Sequence, residues 1–281
     1  MKYIKKEVMM KVLNRKLKGL LKKLYLKVVL PLIKDALEEN NDVLLRKTAR
    51  LINIAQLHQQ TFSKYKGCNK GKSVVIVGAG PSLNNFKPID DCVYVGVNSA
   101  IMFSKVKFDY LFTIDKLGIN NVSNEYINYD CVKFIGDQHF GPQWQIPESL
   151  IQKMKGEVLR YKTDTALYRE SSFTLDIESE PLGNFSTIAL QALQFVLYTN
   201  PQKIYLVGMD CTSLGHFGVH DSVAEHKKNL ADRGESLDDW AKLTLNTWQS
   251  AKNFADQYYP DTEIISVNPV GLRGLFTDID Q

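Results

Sequence analysis

Residues 73–83 read Ser-Val-Val-Ile-Val-Gly-Ala-Gly-Pro-Ser-Leu, and this stretch constrains the fold more than any other. The apolar, β-branched run Val74–Val77 suits a strand buried on both faces of a parallel sheet. It leads directly into Gly78 and Gly80, which permit a tight turn and close backbone approach. Pro81 fits the first position of a helix, and Ser82 adds a hydroxyl donor. A strand, a Gly-rich turn and a helix start make an anion site, because free amides and the helix dipole point at the ligand. The competing reading is a tight strand–helix connection with no ligand. The pattern is not the dinucleotide fingerprint, which requires a third Gly where Leu83 stands.

Beyond Lys72 the texture alternates. Strands are predicted at 73–78, 92–97, 109–115, 131–135, 203–208 and 262–267, and helices at 99–105, 147–154, 185–199 and 236–258. This predicts an α/β fold: a Rossmann-like, mostly parallel sheet with helices on both faces, preceded by an N-terminal helical segment. The expected organisation is a basic amphipathic helical segment at 1–66 and a Rossmann-like domain at 67–281. Within that domain, residues 116–183 are rich in Tyr, Asn, Gln and Ser and read as an irregular insertion or lid over the strand ends.

The net charge of +4 hides an asymmetry. Residues 1–34 carry eleven Lys/Arg against one Glu, a net +10, whereas the remainder carries 24 against 30, a net −6. A mildly acidic body argues against a nucleic-acid footprint. Leu13, Leu17, Leu20, Leu24 and Val28 share one helix face, with Lys11, Arg15, Lys18 and Lys22 opposite, and a second amphipathic stretch follows from Ala36 to Phe62. The basic leader suits an anionic membrane surface or a docking partner. The alternative is a helical hairpin packed on the body or on a second subunit of a homo-oligomer. The four cysteines are scattered without a CxxC pair, which predicts free thiols in a reducing compartment and no zinc ribbon. No apolar run of about 20 residues spans a bilayer, and no secretory signal is evident. The expected location is the cytoplasm, peripheral at the inner face of the membrane.

In open α/β sheets ligands bind beyond the carboxyl ends of the strands. The polar residues expected there are Asn98, Ser99, Asp115, Ser186, Thr187, Asp210, His216, His220 and Asn268. Asn98, Ser99, Asp115, Ser186 and Thr187 each have a capping or turn alternative. Asp210 and His216, in a Gly-containing loop, are the candidate acid/base groups. No HExxH pattern or other metal signature is present, and no metal site is assigned. Trp240, Thr244, Thr247, Trp248 and Ala251 share a helix side and read as core packing, and His58 and His139 read as structural.

These motifs together carry a resemblance. Gly-Ala-Gly-Pro-Ser-Leu after the first strand, Val-Gly-Val-Asn-Ser after the second, Phe-Asp-Tyr-Leu-Phe-Thr-Ile-Asp at the third, and Ile-Tyr-Leu-Val-Gly-Met-Asp followed by Gly-His-Phe resemble the MptE-like family, the motility accessory factors. The layout over roughly residues 65–281 is also similar to the bacterial sialyltransferases of glycosyltransferase family 42. The resemblance implies a nucleotide-binding catalytic domain that transfers a sugar from a nucleotide-sugar donor to a glycan acceptor in surface-glycan assembly. It implies donor contacts from Gly78, Gly80, Pro81, Ser82, Asn98, Ser186 and Thr187; Asp115, a carboxylate at a strand end beside the phosphate turn, is by its position a ribose or metal contact. The sialyltransferases place their catalytic His shortly before the long late helix. Here that region reads Ser236-Leu237-Asp238-Asp239-Trp240, so the role passes to His216, Asp210 or Asp239. Two alternatives stand beside it. One is diphosphate transfer from ATP to a pterin-like alcohol, with Mg²⁺ held by Asp115 and Asp210; the other is a non-catalytic nucleotide-binding scaffold.

Overall fold

The computed structural model describes residues 17–19, 21, 24–137, 144–165, 172–211, 227–228, 230–232 and 234–281. Two compact units emerge, Met1–Asn53 and Ile54–Gln281. In the first, a short π-helical stretch, Tyr25–Val29, leads into helix α1, Leu30–Phe62, whose last turns belong to the second unit. Among the described residues no helix is long and apolar enough to cross a membrane.

The second unit is built on one sheet of eight strands: β1 Ser73–Val77, β2 Cys92–Val97, β3 Tyr110–Thr113, β4 Val132–Asp137, β5 Val158–Lys162, β6 Lys203–Val207, β7 Glu263–Val267 and β8 Thr277–Ile279. The spatial order is β5-β4-β3-β2-β1-β6-β7-β8. Every neighbouring pair is parallel. The chain therefore winds outward from β1 to β5, then crosses back to lay β6 against the other side of β1. Ser73 pairs with Cys92 on one side and with Lys203 on the other. The order reverses between β1 and β6, which is where a doubly wound sheet opens a crevice. The Rossmann-like expectation holds.

Alternate residues of β1 point to opposite faces, and both faces are buried. Val74 and Ile76 join the core under α5, Ile188–Tyr198, and α6, Leu237–Tyr258; Val75 and Val77 join the core on the other face. Phe134 stacks on Phe112 at 4.5 Å and meets Phe195 of α5 at 4.7 Å, so aromatic area fills the space between helix and sheet. The opposite face is covered by shorter elements: α2 Lys116–Ile119, α3 Ser123–Asn128, α4 Glu148–Ile151 and two 3-10 turns.

Several sequence expectations change in detail. The helix expected at 99–105 is a 3-10 turn, Asn98–Met102, and the one at 147–154 shortens to α4. The span 116–183, read as an irregular insertion, holds β4 and β5, which extend the sheet to its edge. The strand expected at 131–135 is β4, and its Lys133 is buried with the ammonium donating to the Tyr129 and Lys155 carbonyls rather than to solvent. Arg160 and Lys162 hid β5. Both pair with Asp137 at the end of β4. The four cysteines are free thiols, as expected.

His58, on the last turns of α1, is fully buried, and its two ring nitrogens are both used. The Lys162 amide donates to Nε2 at 2.7 Å, so Nδ1 carries the proton and donates to the Ile177 carbonyl at 2.9 Å. Burial pushes its pKa below the usual 6.5, against smaller opposing backbone hydrogen bonds. The unfolded chain then binds more protons than the folded one below about pH 6.5. This stabilising contribution is complete above that value and is lost as pH falls through the folded pKa. Urea midpoints measured from pH 8 downward are expected to fall once pH drops below about 6.5, with a flatter profile for His58→Gln. An identical profile in the variant would assign the acid sensitivity elsewhere.

Candidate functional site at the carboxyl rim

Because all eight strands are parallel, their carboxyl ends share one edge. The loops after β1 and β6 are fused by hydrogen bonds. The Gly78 amide donates to the Val207 carbonyl at 2.7 Å, and the Gly80 amide to the Gly208 carbonyl at 2.8 Å. The Ser82 amide donates to Asp210 Oδ2 at 2.8 Å, and the Ser82 hydroxyl donates to Asp210 Oδ1. Asp210 itself is only 5% exposed. The Gly271 amide, after β7, reaches the Asp210 carbonyl at 2.9 Å. Asp210 thus ties together the loops that follow β1, β6 and β7.

This geometry explains the glycines. A Cβ on Gly80 would lie 2.5 Å from Asp210 Cγ and 2.7 Å from the Gly208 carbonyl oxygen. One on Gly78 would lie 2.5 Å from the same carbonyl oxygen, and one on Gly271 would lie 2.4 Å from the Asp210 carbonyl oxygen. Gly80 has φ −70°, so it is required for the close approach of the β6 loop and not for a left-handed turn. The expected α-helix start is a five-residue 3-10 turn, Pro81–Asn85, with Pro81 at its first position. Ser82, expected to face a ligand, spends its amide and hydroxyl on Asp210. Asp210 in turn holds the turn in place.

A second group lies beyond β2 and β3. Asn98 adopts φ 47°, and its Oδ1 is buried with no hydrogen-bond partner among the described residues. Asp115 caps α2 by accepting the Gly118 amide at 2.7 Å, the capping role weighed for it. Gly118 also makes room for Asn98: a Cβ there would lie 2.5 Å from Asn98 Oδ1. The Tyr126 hydroxyl donates to the Asn98 carbonyl at 3.2 Å. Backbone strain gathers on this rim. Of five non-glycine residues with positive φ among those described, Asn98, Cys211 and Asn268 follow β2, β6 and β7. Sparse backbone conformations of this kind concentrate at functional sites.

A third group is reached through α6. Ser186 shares a hydrogen bond of 3.0 Å with Thr244, and Thr187 caps α5 by accepting the Ala189 amide. Trp248, one turn beyond Thr244, is a hydrogen-bond partner of the Cys211 thiol. One face of α6 therefore meets Ser186 through Thr244 and Cys211 through Trp248. Burial, with the neighbouring Asp210 adding to it, pushes the Cys211 thiol up to about 12, so it stays protonated and is a poor nucleophile. Trp248, Thr244 and Ala251 are buried, as the core reading expected.

His216, His220 and His139 lie outside the described residues. Asp239 accepts the Ser236 hydroxyl at 2.7 Å at the start of α6. Among the described residues no three His, Cys, Asp or Glu side chains gather as metal ligands. The sequence reading missed Gly118 and Gly271, whose only signal was their place just past strand ends. It also missed Asp137, where burial raises the pKa but hydrogen bonds from Lys162 and Arg160 outweigh it and hold the carboxyl low. A cavity of about 230 Å³, lined by Lys116, Ser123, Pro147 and Lys153 among others, contains none of the predicted residues.

No protein-family model matches the chain, and no curated protein matches it in sequence. Among solved structures it is similar to the MAf glycosyltransferase from Magnetospirillum magneticum AMB-1, at 12% identity and a TM-score of 0.45, over 81% of this chain and 38% of that one. The sialyltransferase CstII from Campylobacter jejuni, in complex with the substrate analogue CMP-3FNeuAc, is similar at 12% identity and a TM-score of 0.40, over 74% of this chain and 85% of that one. The sialyltransferase CST-II in complex with trisaccharide acceptor and CMP is similar at 14% identity and a TM-score of 0.43, over 74% and 86%. The chain thus spans well under half the length of the MAf glycosyltransferase.

Proposed function

We propose that the chain is a glycosyltransferase-like enzyme that takes a nucleotide-sugar donor at the carboxyl rim of the sheet, over the joined loops that follow β1 and β6 and the neighbouring loop after β2. The observation that carries this reading is the reversal of strand order at β1/β6, with the strained loops of β2, β6 and β7 on the same edge. The four strand-end motifs supply the chemistry by their resemblance to sugar transferases. Asn98 presents an unpartnered carbonyl oxygen suited to a ribose hydroxyl or a base amino group.

In this reading an acceptor hydroxyl attacks the anomeric carbon, the bond to the nucleotide phosphate oxygen breaks, and the nucleotide leaves with the electron pair. A base must take the acceptor proton. Both carboxyl oxygens of Asp210 already accept from Ser82, so Asp210 serves as the holder of the turn and His216 is assigned the base. Incubation with CMP-, UDP- and GDP-sugars and a glycan acceptor, reading free nucleotide, tests this. Acceptor-dependent release with one donor, lost in His216→Ala by roughly 10²-fold or more, is expected. No release with any donor would overturn the activity; full release by the variant would remove His216 from it.

A further inference from the structure

The cavity of about 230 Å³ is walled by α2, the start of α3 and α4. Two lysines, Lys116 and Lys153, line it together with Ser123 and Ser149. Both lysines are exposed, and neither forms an ion pair among the described residues. The acids next to the lining residues are engaged elsewhere: Asp115 accepts the Gly118 amide, and Glu148 pairs with Arg160. Ile119, which is buried, and Leu150, which is half-buried, add apolar surface. The α2 wall is shared with the rim. Lys116 stands just past the carboxyl end of β3, and Gly118 of the same short helix abuts Asn98.

The lining selects a class of ligand. Two ammonium groups without a counter-charge attract an anion. The serine hydroxyls both donate and accept, which suits the hydroxyls of a sugar, and the apolar surface suits the C–H face of its ring. The volume lies below the roughly 300–1,000 Å³ of pockets that enclose larger ligands, so it admits one sugar ring and not a whole nucleotide. A lysine ammonium is a mobile point charge and lacks the planar fork of arginine. The pair therefore accepts a carboxylate or a phosphate alike. Because both lysines are exposed, the attraction is screened by salt.

We propose that this cavity is an acceptor subsite that holds an anionic sugar unit, a uronate or a phosphosugar, of the glycan acceptor. The acceptor role rests on the glycosyltransferase reading; the affinity for an anionic sugar does not. Calorimetry of the full chain with methyl glucuronide, glucose 6-phosphate, neutral methyl glucoside and inorganic phosphate tests it. At least one anionic sugar is expected to bind about tenfold or more tightly than the neutral one, and to weaken as salt is raised. Lys116→Gln with Lys153→Gln is expected to weaken that binding by about tenfold and to leave nucleotide-sugar affinity unchanged. Lys70→Gln with Lys72→Gln, on exposed lysines just before β1, removes the same charge and is expected to change neither. Equal binding of anionic and neutral sugars overturns the proposal, as does full affinity in the Lys116/Lys153 variant or an equal loss in the Lys70/Lys72 variant. Inorganic phosphate that binds as tightly as glucose 6-phosphate overturns the sugar subsite in favour of a bare anion site. A chain that transfers to a neutral acceptor but binds neither anionic sugar overturns this proposal and leaves the transferase reading standing. One that binds anionic sugars through the two lysines but takes no donor overturns the transferase reading, and the acceptor role with it.

Discussion

Gly80→Val is expected to lower the stability of the Ile54–Gln281 body by about 3 kcal/mol or more. The obstacle is within the protein itself. The first added carbon would fall 2.5 Å from Asp210 Cγ and 2.7 Å from a backbone oxygen, and neither neighbour can move freely. Asp210 is fixed by Ser82 and the Gly271 amide, and Gly208 by its bond from the Gly80 amide. Relief therefore requires parting the loops at the centre of the sheet. Urea denaturation reads the effect as a lower midpoint, and an unchanged midpoint would mean that the two loops are not packed in this way.

Asp210→Asn is expected to cost about 1–3 kcal/mol, because the amide nitrogen that replaces one carboxyl oxygen cannot accept a hydrogen bond. Either the Ser82 amide or its hydroxyl then loses its acceptor. If the two residues act as one unit, a double-mutant cycle with Ser82→Ala gives a coupling of about 1 kcal/mol or more. Strict additivity of the two substitutions would show that Asp210 holds the turn through some other group.

Much of this architecture was legible because its strands are of the kind that sequence reads best. Val-Val-Ile-Val and Ile-Tyr-Leu-Val are short apolar runs ending in Gly, and the parallel sheet buries both their faces. The edges were not legible. β5 alternates Arg160 and Lys162 with Tyr161, and β8 has three residues, so neither presents an apolar run. At the site, the sequence indicated that Asp210 would stand beyond the carboxyl end of a strand. It did not indicate that Asp210 would turn toward Ser82, because a carboxylate that binds a ligand and one that braces a loop look alike in a chain of letters. The role of Gly80 shows the same limit: the need for a residue without Cβ was plain, while the group approaching it is the loop after β6. Asn98 was readable as a strand-end polar residue, but its left-handed backbone and orphaned oxygen are products of packing around Gly118 and Tyr126.

The central claim is that the carboxyl rim around β1 holds a nucleotide, and titration calorimetry tests it most directly. The chain is titrated with CMP-, UDP- and GDP-sugars, and then again as Asn98→Asp. That substitution keeps a side chain tolerant of positive φ while removing the amide donor and adding a negative charge at the rim where the anionic donor is expected. Saturable binding of at least one donor is expected, weakened by about tenfold or more in an Asn98→Asp variant that still unfolds cooperatively. No binding by any donor, or equal affinity in the folded variant, would contradict a nucleotide site at this rim.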